Sequence, residues 1–270
     1  SVITPIELEH TEWLGDTIPK IAFEKAGIIK PGKPCYVSRQ RPEALEVFER
    51  ACAERGSQLF DASRLAKIEG LEVDRRGTEA AISFAGGKPW AGRERFRAPM
   101  VGAVQAENMA LAILAASSIE PGLDPETARR GLARAVLPAR FQVLNLDPPV
   151  VLDGAHTPLS TRLCLDSFNR IFPGPAALLF ACAHDKKHEE MAAILRPRFA
   201  RITVTRPGTF KQSQPERVAE SFGLGQGGCT LIEDTQEAVR QARAEAAELG
   251  LPLLIAGSFY LCSEAAKILE

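Results

Sequence analysis

A histidine and a lysine stand fifteen residues apart near the start of the sequence, and both are residue types that do chemistry. His10 follows an apolar, strand-like run, and Lys25 belongs to a predicted helix whose apolar face is formed by Ile18, Ile21, Ala22, Ala26 and Ile29. Burial of an ammonium disfavours its charged form. Either Lys25 extends past the helix edge to water and His10 is a loop residue, or His10 binds a metal and Lys25 is a chemically altered active-site residue.

An aspartate and a histidine follow a second apolar strand, Val150 to Leu152. Asp153 and His156 would therefore lie at the carboxyl end of a buried strand, which is where open α/β sheets bind ligands. Asp153 has a second interpretation, because an aspartate that precedes a helix is a common N-cap residue. The residues alone leave the ligand contact and the helix cap equally open.

Two other groups of polar residues have less specific spacing. Gln105 and Asn108 open a long predicted helix, where amide side chains ordinarily act as caps. His184 and His188 share a helix face and could bind zinc, but no third ligand is near them in the sequence, so a solvated helix start is the better interpretation. Cys182 beside His184 fits no mechanism of nucleophilic catalysis that we can identify.

Two glycine-rich strings resemble phosphate-binding loops but have the wrong context. Gly223 to Gly228 satisfies G-x-G-x-x-G, yet it follows a helix and precedes a strand, which is the reverse of a dinucleotide-binding turn. We expect a connecting loop there. The string from Ala85 to Pro89 ends in proline, where a phosphate loop needs a hydroxyl side chain for Mg²⁺. The sequence thus shows no phosphate loop.

The composition excludes several functional classes. A chain of 270 residues that is 45% hydrophobic can form one or two domains. A net charge of −1 without a long basic run argues against nucleic-acid binding. Apolar stretches such as Leu251 to Leu261 are too short for a membrane span, and no signal-peptide pattern is seen. Six scattered cysteines indicate free thiols in a reduced, cytoplasmic protein.

The hydrophobic periodicity predicts an α/β protein in two parts, 1–137 and 138–270. In the first part it predicts strands at 2–8, 34–38 and 58–61, a β-meander over 68–98, and helices at 17–29, 42–55, 105–118 and 125–136. From Arg140 onward strands and helices alternate, which predicts βαβ units and a mostly parallel sheet. Its strands are predicted at 150–152, 176–182, 201–205, 230–232 and 252–256, and its helices at 158–172, 187–196, 214–222, 235–249 and up to 269.

The segment from His10 to Gly32 resembles the folylpolyglutamate synthase/dihydrofolate synthase family of the Mur ligase superfamily. It meets the family pattern H-x-x-x-L-G-x-T-x-x-x-I-A-x-E-K-A-G-I-x-K-x-G. A further match to G-R-F-[EQ] and [IV]-L-D-G-A-H-N-P covers 139–142 and 151–158 with two differences. Residues 257–261 read G-S-F-Y-L beside the family's closing G-S-L-Y-L, for which we expect a structural role. The resemblance implies the remainder of a Mur-type ATPase domain over 1–137 and a Rossmann-like, mostly parallel α/β C-terminal domain over 138–270.

The resemblance implies roles for residues of the first part. His10 looks like a ligand of an active-site Mg²⁺. Lys25 looks like a lysine that adds CO₂ to become a carbamate, an oxygen anion suited to hard divalent ions. Asn108 occupies the position of an adenine contact in the family pattern H-Q-x-x-N-x-x-x-A, and Gln105 is a further ATP-binding candidate. Val104 stands where histidine is common in that pattern.

The resemblance also implies roles in the second part. Arg140 and Asp153 look like ATP contacts, and His156 would lie at the interdomain cleft near the incoming glutamate. Asp185 and Lys186 belong to a D-K-[DK] string that faces the nucleotide in the family, so they are further ATP-binding candidates.

Three features depart from the family. Ala139 replaces the glycine that precedes the arginine, and Thr157 replaces an asparagine, which puts in doubt any contact made by that amide. The family binds ATP through G-x-x-G-K-[ST], which this sequence lacks. We therefore expect the sequence to be the C-terminal part of a longer enzyme, and we expect these residues alone to be inactive.

The implied reaction is ATP-dependent amide formation. A folate carboxylate would be phosphorylated to an acyl phosphate, which the amine of L-glutamate attacks; dihydrofolate synthesis is a related activity that the sequence leaves open. Mg²⁺, ATP, folate and L-glutamate are the expected ligands of a cytoplasmic monomer. Two alternatives remain: a Mur-type ligase for a peptidoglycan precursor, against which the string E-K-A-G-I speaks, and a non-catalytic nucleotide- or partner-binding module.

Overall fold

The computed structural model describes residues 1–8, 15–209 and 211–269. The chain divides into two compact units. The first unit consists of residues 1–72, 77–99 and 103–135, and the second consists of residues 73–76, 100–102 and 136–270.

The first unit begins with a small parallel sheet. Strands β1 (Val2–Ile3), β2 (Cys35–Val37) and β3 (Leu59–Asp61) pair in that order. Helices α1 (Ile18–Ala26) and α2 (Pro42–Glu54) connect them and pack their apolar faces together with the sheet. Both helices have proline in their first turn, where the missing N–H costs no hydrogen bond.

The same unit contains the predicted meander. Strands β4 (Ala66–Asp74), β5 (Gly77–Phe84) and β6 (Arg93–Ala98) form a three-stranded sheet in which β5 and β6 are antiparallel. The string from Ala85 to Pro89, which resembles a phosphate loop, joins β5 to β6. It is therefore a hairpin connection and not a strand-to-helix turn. A short helix α3 (Ala62–Leu65), the long helix α4 (Val104–Ser117) and helix α5 (Pro125–Leu132) complete the unit.

The second unit is built around a six-stranded sheet with helices on both faces. Its strands are β7 (Gln142–Leu144), β8 (Val150–Asp153), β9 (Ala177–Phe180), β10 (Arg201–Val204), β11 (Cys229–Leu231) and β12 (Leu253–Ala256). They pair in the order β11-β10-β9-β12-β8-β7. Each of these pairs is parallel except β7 with β8. The predicted α/β class with a mostly parallel sheet is confirmed.

Helices cover both faces of this sheet. They are α6 (Pro158–Ile171), α7 (His188–Leu195), α8 (Pro215–Ser221), α9 (Thr235–Glu248) and α10 (Phe259–Leu269). One core contains Val151, Leu178 and Leu254, and the other contains Val150, Leu179 and Leu253. Successive strand residues thus enter opposite cores, because side chains alternate across a strand. This is why these strands are apolar throughout rather than alternating.

Several element boundaries differ from the predictions. The first strand ends at Ile3 instead of Leu8, the first helix at Ala26 instead of Ile29, and α5 at Leu132 instead of Val136. Strand β7 and helix α3 were not predicted. No helix within the described residues is long and apolar enough to cross a membrane.

A pair of glycine substitutions tests the close approach of backbone in the second unit. Gly257 has φ of +101°, and a Cβ there would lie 2.3 Å from the carbonyl oxygen of Ala181. Gly131 lies in α5 with open space around it. We expect Gly257→Ala to destabilise its unit by about 2 kcal/mol or more. We expect Gly131→Ala to stabilise by about 0.5–1 kcal/mol, because glycine costs entropy in a helix. Calorimetric melting of both variants measures this, and equal melting temperatures would contradict it.

Candidate functional site

The carboxyl edge of the large sheet collects the candidate residues of the second unit. Asp153 at the end of β8 is in register with Ala256 of β12, which is in register with Phe180 of β9. Because these strands are parallel, the segments that follow them leave the sheet at the same edge. Those segments are 154–157, 257–259 and 181–187, and they contain His156, Asp185 and Lys186.

The carboxylate of Asp153 accepts hydrogen bonds from two backbone N–H groups. Its Oδ2 accepts a hydrogen bond from the N–H of Phe141 at 2.9 Å, and its Oδ1 accepts one from the N–H of Ala155 at 2.8 Å. The N-cap of α6 is Thr157, whose hydroxyl accepts from the N–H of Ser160 in a reciprocal capping box. The interpretation of Asp153 as the cap of this helix is therefore wrong.

The carboxyl of Asp153 is in a poorly hydrated place. Burial raises its pKa from 3.8 to about 6, although the two N–H donors, the nearby Arg140 and the thiol of Cys164 all act to lower it. Cys164 hydrogen-bonds to this carboxylate, and burial raises the pKa of the thiol. A carboxylate that remains charged at neutral pH in such a place needs fixed donors.

Arg140 is presented by a tight turn that is anchored in both cores. Ala139 and Phe141 have φ of 55° and 48°, in the left-handed region. Both of their side chains are buried, Ala139 in one core of the unit and Phe141 in the other, while Arg140 between them is exposed. The N–H of Gly154 donates to the carbonyl of Ala139 at 2.8 Å. With the bond from Phe141 to Asp153, this fixes the turn against the end of β8.

An aromatic ring that the sequence analysis did not select lies under Arg140. The guanidinium carbon of Arg140 is 4.6 Å from the centre of the Phe259 ring. The ring of His156 meets the same ring edge-on, with centroids 5.8 Å apart. A Cβ on Gly154 would lie 2.3 Å from Phe259 Cε1. The only sequence signal was the phenylalanine where the family's closing string has leucine.

The tautomer of His156 follows from its hydrogen bond. Nδ1 lies 2.7 Å from the carbonyl oxygen of Gly154. A carbonyl can only accept, so Nδ1 carries the proton and Nε2 of the neutral ring is an acceptor. The ring is thereby held in one orientation.

The other polar residues at this edge have local partners. Lys186 Nζ and Asp185 Oδ2 are 3.4 Å apart, and both side chains are partly buried. Burial acts to raise the pKa of Asp185, but the charge and hydrogen bond of Lys186 outweigh it and lower this pKa. Burial raises the pKa of Cys182 to about 12, so this thiol is not a thiolate nucleophile at neutral pH.

The two histidines considered for zinc have separate partners. His184 Nδ1 is 3.3 Å from the carbonyl of Gln212, and His188 Nδ1 is 2.9 Å from the hydroxyl of Ser221. Within the described parts of the chain, no three histidine, cysteine or acidic residues are grouped to hold a metal. The zinc hypothesis finds no support there. The string from Gly223 to Gly228 joins α8 to β11, so the prediction of a connecting loop is confirmed.

A polar cavity of about 1210 Å³ lies at the ends of the outer strands of the same unit. Its lining carries three basic residues, Arg206, Lys211 and Lys267, and three acidic ones, Glu233, Asp234 and Glu264. Arg206 pairs with Glu233, and Lys267 pairs with Glu264. The lining thus carries equal numbers of basic and acidic residues.

In the first unit, the structure agrees with the first of the two interpretations of Lys25, in which its side chain reaches water. Ile18, Ile21 and Ala22 are buried, but Lys25 is exposed and lies off the apolar face of α1. Burial therefore gives no reason for its modification. His10 lies outside the described residues. Since the described residues do not group into a metal site, the Mg²⁺ assignment rests on the resemblance alone.

Gln105 and Asn108 form a hydrogen-bonded pair. Asn108 Nδ2 donates to Gln105 Oε1 at 2.9 Å, and Gln105 is buried. The N-cap of α4 is Ala103, which has no side-chain cap bond. The capping interpretation of the amide pair is therefore wrong. Gln105 holds the Asn108 amide in place, which leaves the carbonyl oxygen of Asn108 as an acceptor.

Comparison with known proteins shows the class of protein to which the chain belongs. Residues 139–259 match the glutamate ligase domain of Mur ligases. The chain is 33% identical to a probable bifunctional folylpolyglutamate synthase/dihydropteroate synthase of Halobacterium salinarum over 98% of its length. It is 31% identical to the folylpolyglutamate synthase of Lacticaseibacillus casei over 97% of its length. A solved folylpolyglutamate synthase–AMPPCP complex covers 99% of the chain with a TM-score of 0.78 at 28% identity. The chain belongs to the folylpolyglutamate synthase/dihydrofolate synthase family.

The chain spans only part of these relatives. It covers 32% of the Halobacterium protein, 60% of the Lacticaseibacillus enzyme and 60% of the protein in the AMPPCP complex.

The pKa of Asp153 predicts a pH dependence of stability. Between pH 3.8 and about 6 the folded chain keeps a proton that the unfolded chain loses. Protonation therefore stabilises the folded state at low pH, and this contribution is lost as pH rises through that window. Asparagine does not titrate. We expect the melting temperature of the parent to fall relative to that of Asp153→Asn as pH rises from 4 to 7, and parallel profiles would refute this.

The contact between Gly154 and Phe259 predicts a non-additive pair of substitutions. In Gly154→Ala the new methyl would overlap the Phe259 ring. We expect a destabilisation of about 1–3 kcal/mol, because overpacking forces side chains from their rotamers. In a Phe259→Ala background the same methyl has space, so its cost should nearly vanish. Thermal melting of the two single variants and the double variant measures the coupling, and strict additivity would count against the contact.

Proposed function

We propose that the protein acts in ATP-dependent ligation of L-glutamate to a folate carboxylate, through an acyl phosphate. One observation supports this most. Arg140 and Asp153, the residues that the resemblance assigns to ATP, are fixed to each other by the bond from the N–H of Phe141 to Asp153 Oδ2 at 2.9 Å. A carboxylate and the backbone of an arginine turn, held together at a sheet's carboxyl edge, suit a charged nucleotide.

In the first step, a folate carboxylate oxygen attacks the γ-phosphorus of ATP. The bond to the β,γ-bridging oxygen breaks and ADP leaves, which produces the acyl phosphate. Such transfer depends on positioning and on neutralisation of phosphate charge. Arg140 contributes the charge, and its anchored turn fixes the backbone from which its side chain extends. Asp153 keeps that turn closed and supplies a carboxylate for the nucleotide.

In the second step, the amine of glutamate attacks the acyl carbon and inorganic phosphate leaves. The attacking nitrogen must be neutral and oriented. The Nε2 acceptor of His156 suits an N–H of the incoming glutamate, and the bond from Nδ1 to Gly154 fixes its direction. We assign His156 to the alignment of glutamate, as the resemblance implies.

The first unit contributes the remaining groups of the proposal. Asn108, oriented by Gln105, is assigned to the adenine. His10 and a carbamylated Lys25 are assigned to Mg²⁺, which would neutralise phosphate charge when bound. The described residues do not by themselves form a metal site. Asp185 and Lys186 are assigned to the nucleotide as an ion pair.

Titration of AMPPCP into the full-length gene product tests the assignment of Arg140. We expect Arg140→Ala to weaken binding about ten- to a hundredfold, since hydrogen bonds between ionised groups are worth about 1.5–3 kcal/mol. Arg170→Ala is the matched control, because this arginine is exposed on α6 of the same unit and has no assigned role. Equal affinity of the Arg140→Ala variant and the parent would remove Arg140 from the nucleotide site.

A substrate panel on the full-length gene product tests the reaction. We expect ATP consumption that depends on both L-glutamate and a reduced folate, with ADP and phosphate as products. Turnover only with a peptidoglycan precursor would instead identify a different Mur-type ligase. Nucleotide binding without turnover of either substrate would identify a binding module.

A further inference from the structure

We propose that Phe259 is a positioning residue for the nucleotide site, which holds the Arg140 guanidinium over its ring and the His156 ring at its edge. This inference rests on the proposed function and extends it to a residue that neither the family's closing string nor the assigned roles include. It starts from the three contacts of the Phe259 ring with Arg140, His156 and Gly154.

The ring is itself held in place. Phe259 is the first residue of α10, and its side chain is partly buried against the core that contains Ala139. On its other side the backbone of Gly154 approaches so closely that any Cβ would overlap the ring. A glycine at 154 and a phenylalanine at 259 are therefore complementary. The ring rests on backbone rather than on mobile side chains.

Arg140 needs such support because its turn fixes only the backbone. An exposed arginine side chain loses rotamer entropy when it binds in one geometry. A guanidinium that lies above an aromatic face, within about 6 Å of the ring centre, is attracted by the ring quadrupole. At 4.6 Å from the ring centre, Arg140 is within this distance. Part of the ordering thus takes place before the nucleotide binds.

Leucine at this position would fill space but offer no π face. It could pack against Gly154, yet it could neither attract the guanidinium nor present an aromatic edge to His156. Phe259→Leu therefore separates the positioning role from simple packing. Phe259→Met provides a second apolar variant if the leucine variant is unstable, since methionine adapts to irregular space.

The experiment is a double-mutant cycle on AMPPCP affinity, measured calorimetrically with the full-length gene product. We expect Phe259→Leu to raise the Kd about three- to tenfold. In an Arg140→Ala background the same change should alter the Kd less than twofold, because there is no guanidinium left to position. Equal penalties in both backgrounds would overturn the inference.

Phe199→Leu is the matched control. Phe199 also lies under a guanidinium, that of Arg198, with 5.6 Å between the arginine Cζ and the ring centre. It has no contact in the site, so its replacement should leave AMPPCP affinity within twofold of the parent. An effect as large as that of Phe259→Leu would show that loss of any such ring weakens binding, which would refute a specific role for Phe259.

Kinetics of the full-length enzyme distinguish positioning from structure. Phe259→Leu should raise the KM for ATP about three- to tenfold. A purely structural role would lower kcat through loss of active enzyme and leave KM unchanged, which would overturn the inference. If the parent neither binds AMPPCP nor ligates glutamate, the proposed function fails; if the parent does both and Phe259→Leu equals it, only the role of Phe259 fails.

Discussion

The site in the second unit depends on one enclosed carboxylate. Asp153 is buried enough to raise its pKa to about 6, so its charge at neutral pH requires fixed donors. Two backbone N–H groups supply them, one from the segment that follows β8 and one from Phe141. The second donor ties the Arg140 turn to the strand end. Loss of that carboxylate would leave two N–H groups without a partner, and the turn that presents the arginine would lose its bond to Asp153.

Close backbone approach at the sheet's carboxyl edge gives the site its shape. Gly257 lets the connection between β12 and α10 pass the carbonyl of Ala181, and Gly154 admits the ring of Phe259. Neither position has room for a Cβ. The site therefore depends on the absence of a Cβ at Gly154 and Gly257. This absence matters as much as the side chains of Arg140, Phe259 and His156.

Two of the departures from the family pattern, Ala139 and Thr157, have physical explanations. Ala139 has φ of 55°, a conformation that glycine adopts more easily, and the strain of about 1 kcal/mol is opposed by burial of its methyl group in the core. Thr157 caps α6 through its hydroxyl, a role that asparagine fills equally well. Both substitutions leave the Asp153 carboxylate and the Arg140 turn in position.

Local sequence patterns were sufficient to predict the α/β class, the parallel sheet and most elements, because apolar strands and amphipathic helices have recognisable patterns. They also identified Asp153, Arg140 and His156, because these residues belong to short strings that match the family at fixed spacing. Three features required the folded structure: the exposure of Lys25, the absence of a capping role for the amide pair of Gln105 and Asn108, and the bond from Asp153 to a distant turn. Phe259 belongs with these features, since it lies 119 residues from Arg140 along the chain and meets it only because β8 and β12 are neighbours in the sheet. Contacts between such distant segments follow from strand order, which local patterns do not encode.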